Sequence, residues 1–581
     1  MTVVSAVPGP GRLSGRKRLG LLLIKPSHYD DDGYVIQWWR SYVVNNALAV
    51  MGSVITDAAE RRAAGPDVDI ERRLIDEVSE VVRPDRLMRW LAGFDHAAVM
   101  LVAVQTSQFP RALDIARPFT AAGYPVVIGG VHVSGSRAMV PDWQPAFAGA
   151  AEAGVSLFAG EFEPHVDELL TDVVAGTVKP FYDRLARPAD LGTAPRPRAE
   201  HGLAARTVER HFGLETGRGC PFICSFCTII NFHGRAMRHR DPSAIEAYLR
   251  ECHAGGGRHF LVTDDNFARS PVWREITATM ERLQRELNVE WDIAIQVDAL
   301  AYRIDGFVDA CRAAGIKRVF IGIESVRPDN LKAAAKGQNK MHLMRDMAMA
   351  WRRAGMLIYG AMIVGLPNDT PERVAEDVRI IQEEIPVDIL SAFLLTPHPG
   401  SADHKKAVAD GVEMDEDLNR YDTVHPVVAH PLMSRDQWEA LYWDTWKRFY
   451  TMRYLKTVIA RALRYGVNVD VVRGTFVCAY SASCHERVHP LDSGGLRLRD
   501  RRSRRPGLPK PAAIPHAIRQ IAWNTVNLSR IAGLLAYGYA LELYLRWERA
   551  RGRLDRHTHI EPLPSAAATA RFPDAPVAAA E

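Results

Sequence analysis

Cysteine is scarce, seven residues in 581, too few for a disulfide scaffold in a chain of this length. A surplus of one charge sign is also missing. Lys and Arg total 73 against 69 acidic residues, so bulk charge gives no support to a nucleic-acid partner, and none is expected. Long apolar runs are absent. The stretch 19–24 follows Arg16, Lys17 and Arg18 but is closed by Lys25 and Pro26. It is too short for a secretory core and reads as a first buried strand. The longest later run, 531–541, stops at Glu542, short of the roughly 20 residues that span a bilayer. A cytoplasmic protein is therefore expected, and no internal repeat is evident. What the chain does have is an apolar fraction of 47%, enough for more than one core. At roughly 150 residues per domain, its length suggests three or four units.

Residues 1–17 and the Ala/Pro tail 556–581 are expected to be disordered. Over 18–182, short apolar strands (19–24, 99–104, 126–128, 155–158) alternate with helical stretches (84–92, 111–122, 164–174). That is the pattern of a parallel sheet covered on both faces, a doubly wound, Rossmann-like α/β domain. A Pro- and Arg-rich linker is expected over 183–206. Over 207–410, six apolar strands (213–216, 260–263, 293–297, 318–323, 360–364, 389–395) alternate with helices. They make an open sheet or a partial (β/α)6 barrel, with ligands at the carboxyl ends of the strands.

The region 411–555 reads as mainly helical. Trp438, Tyr442, Trp446, Phe449 and Tyr450 recur at helical spacing, a packing stripe by default and otherwise an apolar wall for a large substrate. Arg497, Arg499, Arg501, Arg502, Arg504 and Arg505 read as a solvated linker. The alternative is peripheral contact with anionic lipid, helped by the amphipathic stretch that follows.

The chemistry concentrates in Cys220-Pro-Phe-Ile-Cys224-Ser-Phe-Cys227, on a loop after the first strand of the second region. Three thiolates from one loop can each take one iron of a cubane cluster, leaving the fourth iron open. A structural zinc site wants a fourth protein ligand, and zinc ligands usually come as separated pairs. His233 could complete a Cys₃His set, so the zinc reading stays open at this point.

This loop resembles the signature of the radical S-adenosylmethionine (SAM) enzymes. With a doubly wound domain ahead of a partial barrel, the chain resembles their cobalamin-dependent subfamily over about residues 18–400. The resemblance implies that Cys220, Cys224 and Cys227 ligate a 4Fe–4S cluster whose open iron chelates SAM. Phe226 would lie against adenine. An electron from a donor such as flavodoxin or ferredoxin would then release a 5′-deoxyadenosyl radical. Asp264 and Asp265 would meet the SAM ammonium; the alternative is a helix N-cap. Glu324 and Ser325 would bind ribose and the methionine moiety, or else form a strand-terminal turn. Gly365 would let backbone approach adenine; the plain alternative is a turn with Thr370 as N-cap. His398, in an exit loop of TP-PG type, is an acid or base candidate or a merely exposed histidine.

For cobalamin, the resemblance points to Gly129 and Gly130, where paired glycines let backbone pass close to a ligand, and to Gly160 and Glu161. The cobalt-ligating DxHxxG motif is missing. The spacing around His28 does not match, and His132 has Gly135 at the right offset but no aspartate. The alternative is a cofactor-free platform. Cys478 and Cys484 are either auxiliary or radical-quenching thiols or buried, inert ones. The function implied is methyl transfer to an unactivated carbon of a small-molecule or lipid-like substrate. A radical oxidation, cyclisation or rearrangement without methyl transfer is the second reading, and a non-catalytic, metal-stabilised scaffold is the third.

Overall fold

The computed structural model describes residues 15–559. Order reaches past both expected limits: Lys17 already lies in the first strand and Leu554–His557 form a short 3₁₀ helix. The remainder of the two terminal segments lies outside the described residues.

The first domain is built on β1 (Lys17–Lys25), β2 (Val68–Asp76), β3 (His96–Leu101), β4 (Val126–Gly129), β5 (Ser156–Ala159) and β6 (Phe181–Asp183). All are parallel, in the order β2-β1-β3-β4-β5-β6. β1 shows why the sheet is covered twice. Leu19, Leu21 and Leu23 enter a core with the helices Asn46–Arg61 and Val166–Ala175. Leu22 and Ile24 enter a second core with Pro84–Leu91 and Phe109–Ala121. The sheet reverses its order between β1 and β3, the position where doubly wound folds present ligands.

The second domain runs β7 (His211–Leu214), β8 (His259–Val262), β9 (Asp292–Val297), β10 (Ile316–Glu324), β11 (Leu357–Val364) and β12 (Ile389–Leu394). These pair side by side in sequence order, all parallel, as a partial barrel. The helices Arg435–Phe449 and Met452–Tyr465 then join the same core. Tyr450 Oη donates to Leu390 O at 2.7 Å, and Tyr454 Oη to Val387 O at 2.5 Å, so the helices cover β12 and its approach. Trp438, Tyr442, Trp446, Phe449 and Tyr450 are all buried there, and the stripe is packing rather than a substrate wall.

Two expectations are corrected. The segment 183–206 is not a loose linker but a strap bound to both domains. Ala189 and Leu191 are buried, Arg198 N donates to Ser53 Oγ at 2.9 Å, and Arg240 Nη1 donates to Pro195 O at 3.1 Å. The arginine run is likewise not simply solvated. Arg497 is buried against Asp30 (2.9 Å), Arg505 pairs with Asp417 (2.7 Å), and Arg504 donates to Asp32 O (3.0 Å). Asp30 on the loop after β1 and Asp417 beyond β12 supply the carboxylates for that placement. No helix among the described residues is long and apolar enough to cross a membrane.

Candidate active site

The cysteine loop leaves β7 and is pinched at its foot by a short ribbon, Gly217–Arg218 against Arg238–His239. The ribbon explains the glycines: a Cβ on Gly217 would sit 2.6 Å from Arg238 O, and Gly219 adopts φ +103°. Thr216, just before it, is locked by Asp264. The buried carboxylate accepts the Thr216 N–H at 2.6 Å and the Thr216 hydroxyl. Burial pushes the Asp264 carboxyl up to about 7, against those hydrogen bonds. Both Asp264 oxygens are thus engaged in anchoring the loop, a role different from the expected contact with an ammonium.

Asp265 accepts the Gly219 N–H at 2.7 Å. The next long helix starts only at Trp273 with Val272 as its cap, so neither aspartate is an N-cap. Further round, Ser225 N donates to Ala334 O (3.2 Å), Asp403 N donates to Ser225 O (3.1 Å) and Asn231 Nδ2 donates to Gly400 O (2.8 Å). The loop is therefore held from three sides of the barrel mouth.

Cys220, Cys224 and Cys227 are free and half-buried. Burial raises all three thiols, Cys227 to about 11. Side-chain amides face two of the sulfurs at 4.0 Å: Asn266 Nδ2 toward Cys220 Sγ and Gln338 Nε2 toward Cys224 Sγ. Such donors stabilise thiolate ligands of an iron–sulfur cluster. His233 does not complete a zinc site. Its Nδ1 lies 3.4 Å from Asp265 and its Nε2 3.8 Å from Glu161, so both nitrogens address carboxylates. An open three-thiol set with amide donors fits a cluster.

Opposite the loop, Glu324 ends β10 at φ +63° and pairs with Lys336 Nζ at 2.6 Å, both nearly buried. Burial alone would lower the Lys336 ammonium, but Glu324, Cys224 and Cys227 hold it above its ordinary value. Lys336 also lies 5.7 Å over the Phe226 ring. Phe226 packs on Ala334, Ile363 and Leu366. Ser325 Oγ accepts the Arg327 N–H at 3.1 Å. Sequence reasoning missed Lys336 and Gln338, which carry no motif; Asn266 ends the Thr263-Asp264-Asp265-Asn266 stretch, whose pattern points to the aspartates or to an N-cap.

Gly365 (φ +95°) is claimed by the protein itself. A Cβ there would fall 1.9 Å from Trp438 Nε1, which donates to Val364 O at 3.0 Å. The close approach expected for adenine is thus an approach of indole, and Thr370 is indeed the following N-cap. His398 is half-buried, and burial pulls its imidazole down to about 4.

The residues expected to cradle cobalamin also have partners within the chain. A Cβ on Gly130 would meet Val104 N at 2.1 Å, one on Gly160 Arg184 C at 2.7 Å, and one on Gly129 Phe158 O at 3.3 Å. Glu161 joins the two domains: it receives Arg238 at 2.6 Å and lies 3.4 Å from Arg218. Burial alone would raise its carboxyl, yet Arg238, Arg218 and His233 hold it below the usual range. His132 is buried with Nε2 2.6 Å from Ala146 O and Nδ1 3.2 Å from Thr106 Oγ1, so it is satisfied within its own domain.

Unsatisfied groups occur at the seam between the domains, where the exit loop meets Gly135. Both ring nitrogens of buried His404, and Ser136 Oγ, lack a hydrogen-bond partner among the described residues. Orphaned groups of that kind call for a partner that the chain itself does not supply. Cys478 and Cys484 lie apart from this site. Both thiols are pushed up by burial, and Cys484 Sγ lies 3.7 Å from Ser483 Oγ.

Residues 214–381 match the family described as the radical SAM superfamily. The chain is 26% identical over 345 residues to the bacteriochlorophyllide d C-8(2)-methyltransferase of Chlorobaculum tepidum, across 56% of this chain and 72% of that protein. It is 26% identical over 368 residues to the hopanoid C-2 methylase of Rhodopseudomonas palustris, across 61% and 65%. Among solved structures it shares the fold of TsrM from Kitasatospora setae, a radical S-adenosylmethionine methyltransferase solved with cobalamin and a [4Fe-4S] cluster bound. There the TM-score is 0.53 at 15% identity, over 74% of this chain and 89% of that one.

Proposed function

Because residues 214–381 match the radical SAM superfamily, we propose that this chain is a cobalamin-dependent radical SAM enzyme. Its reaction is methyl transfer to an unactivated carbon of a small apolar molecule. The observation that carries this reading is one loop presenting three free thiols, faced by the Asn266 and Gln338 amides. Those thiols would hold the 4Fe–4S cluster. Asp265, Glu324, Ser325 and Lys336 are the polar groups available to SAM, and Phe226 with Ile363 and Leu366 is the apolar surface for its adenine. Cobalamin would be held where the exit loop carrying His398 meets the first domain.

When bound, the cluster with SAM supplies a hydrogen-abstracting radical, and cobalamin supplies the methyl group. The chain's own part is placement. Asp264 and the Arg218–Arg238 ribbon fix the cysteine loop, and Glu161 ties that ribbon to the first domain. Lys336 and Glu324 keep a buried, paired charge at the SAM side. The relatives named for bacteriochlorophyllide and hopanoid methylation support an apolar substrate. A flavodoxin or ferredoxin in the cytoplasm is the electron source that suits this chemistry.

Anaerobic reconstitution tests the reading. About four irons per chain, 5′-deoxyadenosine on reduction with SAM, and a corrin absorbance that survives gel filtration are expected. A colourless chain, or one that binds iron without cleaving SAM, overturns it. Methyl-deuterated SAM separates the chemistries, because an unlabelled product assigns oxidation, cyclisation or rearrangement instead.

A further inference from the structure

The helix Ala513–Ala550 is 38 residues long and attached by a narrow seam. Only Asn527, Gly538, Glu542, Leu545 and Glu548 are buried on it. Gly538 is needed for the attachment, since a Cβ there would meet Arg473 Cδ at 2.8 Å. Most of the remainder is exposed and carries many large apolar side chains, while His516, Gln520 and Asn524 hydrogen-bond to the Arg497 and Arg499 carbonyls. Twelve of the nineteen large hydrophobic side chains exposed among the described residues lie on this one helix, including Ile514 (75%), Ile518 (62%), Ile521 (67%) and Leu543 (52%). Such a concentration marks an interaction surface rather than ordinary scatter.

Three observations select the occupant. The first is breadth. At the helical period, the exposed apolar positions spread over more than half the circumference, wider than the roughly 100° stripe that one packed neighbour covers. The second is charge. The two carboxylates of the helix are both turned inward, Glu542 onto Arg473 and Arg546 and Glu548 toward His557, whereas Arg519, Arg530 and Arg549 are exposed. That leaves the outer face apolar and cationic, the charge complement of an anionic surface. The third is the presence of Trp523, Tyr537, Tyr539, Tyr544 and Trp547, side chains that favour the headgroup level of a bilayer.

We propose that the outer face of the Ala513–Ala550 helix lies in the surface of an anionic lipid bilayer, holding the protein at the membrane without crossing it. Apolar area and electrostatic attraction act together in such contacts. The inference does not depend on the radical chemistry, and its test needs neither iron nor SAM.

The full chain is sedimented with phosphatidylcholine vesicles and with phosphatidylcholine–phosphatidylglycerol vesicles. Partition to the anionic vesicles is expected to exceed that to the neutral ones, and to weaken when salt shortens the screening length. Ile518→Asp/Ile521→Asp/Leu543→Asp should cut the anionic partition at least about tenfold, with circular dichroism unchanged because all three positions are exposed. Arg519→Gln/Arg530→Gln, which spares the apolar face, should lower it by a smaller factor. A chain that stays in the supernatant with anionic vesicles overturns the proposal. So does a dimer, seen by sedimentation velocity without lipid, that the triple substitution dissolves.

Discussion

Glu215 offers the sharpest perturbation of the site, because it sits at the foot of the cysteine loop and faces two arginines. Arg218 Nε lies 2.8 Å from its carboxylate and Arg240 Nη2 2.6 Å from it. Arg240 is buried, and its other hydrogen bond is to the Pro195 carbonyl. Burial alone would raise the Glu215 carboxyl, but Arg218 and Arg240 pull it down to about 2. From an unfolded value near 4.5, a fall of about 2.5 units is worth roughly 3 kcal/mol at neutral pH. The folded value is the depressed one, so this stability is present above about pH 4.5 and is lost as pH falls toward 2. Glu215→Gln keeps the shape, removes the charge and strands Arg240. Removing one partner of a buried pair costs about 3–5 kcal/mol, in line with the linkage figure. Urea unfolding at pH 7, followed by far-ultraviolet circular dichroism, should show that loss. The same loss should shrink at pH 4. Adding Arg240→Met should restore part of it, since a buried pair replaced on both sides leaves no orphan charge. A single substitution costing under about 0.5 kcal/mol, or a double one whose losses simply add, would refute the argument that these charges pin the loop.

Asn266→Ala and Gln338→Ala should each lower the reduction potential of the reconstituted cluster while leaving its iron content intact. Removing an N–H···S donor enriches the thiolate, and an electron-paramagnetic-resonance redox titration reads the shift. Gly365→Ala should cost more than about 3 kcal/mol, because its Cβ would overlap Trp438 at 1.9 Å in a positive-φ position; thermal unfolding measures this. His132→Gln should leave any bound corrin's absorbance unchanged, since both ring nitrogens are already satisfied inside the domain. His425 lies between Asp31 and Asp422. Burial alone would lower its imidazole, yet the two carboxylates raise it to about 10. Its stabilisation is therefore full below about pH 6.5 and fades as pH rises toward 10, so His425→Gln should flatten the alkaline limb of a stability–pH profile.

What the amino-acid order reveals depends on how each residue earns its place. The barrel strands were legible by different signs: Leu357–Val364 is almost wholly apolar, as a strand covered on both faces tolerates, whereas Asp292–Val297 alternates buried Ile293, Ile295 and Val297 with half-buried neighbours. β2 escaped notice because it is an edge strand. Val68–Asp76 alternates charged and apolar residues and is half-exposed, yet it pairs with β1 along its full length. The cysteine triplet announces itself by residue type and spacing. Lys336 does not, because it reaches Glu324 only where the chain turns back after the helix Pro328–Ala333. Glu161 was noticed as part of a Gly-Glu turn, but its partner Arg238 is 77 residues away, and no local pattern records such a pairing. The glycines show the same limit from the other side. Sequence marks Gly130, Gly160 and Gly365 as places where something comes close, but not that the visitor is the chain's own backbone or indole.

The way the loop is held bears on how a cluster would be loaded. Its contacts come from elements far apart in sequence: Asp264 and Asp265 after β8, Ala334 after β10, and Gly400 and Asp403 after β12. Those contacts exist only once the barrel has assembled, and each of them is backbone or oxygen chemistry that does not involve sulfur. Contacts of that kind would hold the loop without metal, unlike a zinc finger, in which metal binding supplies the folding energy. The expected consequence is that Cys220→Ser/Cys224→Ser/Cys227→Ser loses all cluster iron while unfolding within about 1 kcal/mol of the unsubstituted, metal-free chain. Urea titration of both chains without iron makes the comparison. A much larger loss would mean that the thiols, rather than the oxygen contacts around them, hold the loop in place.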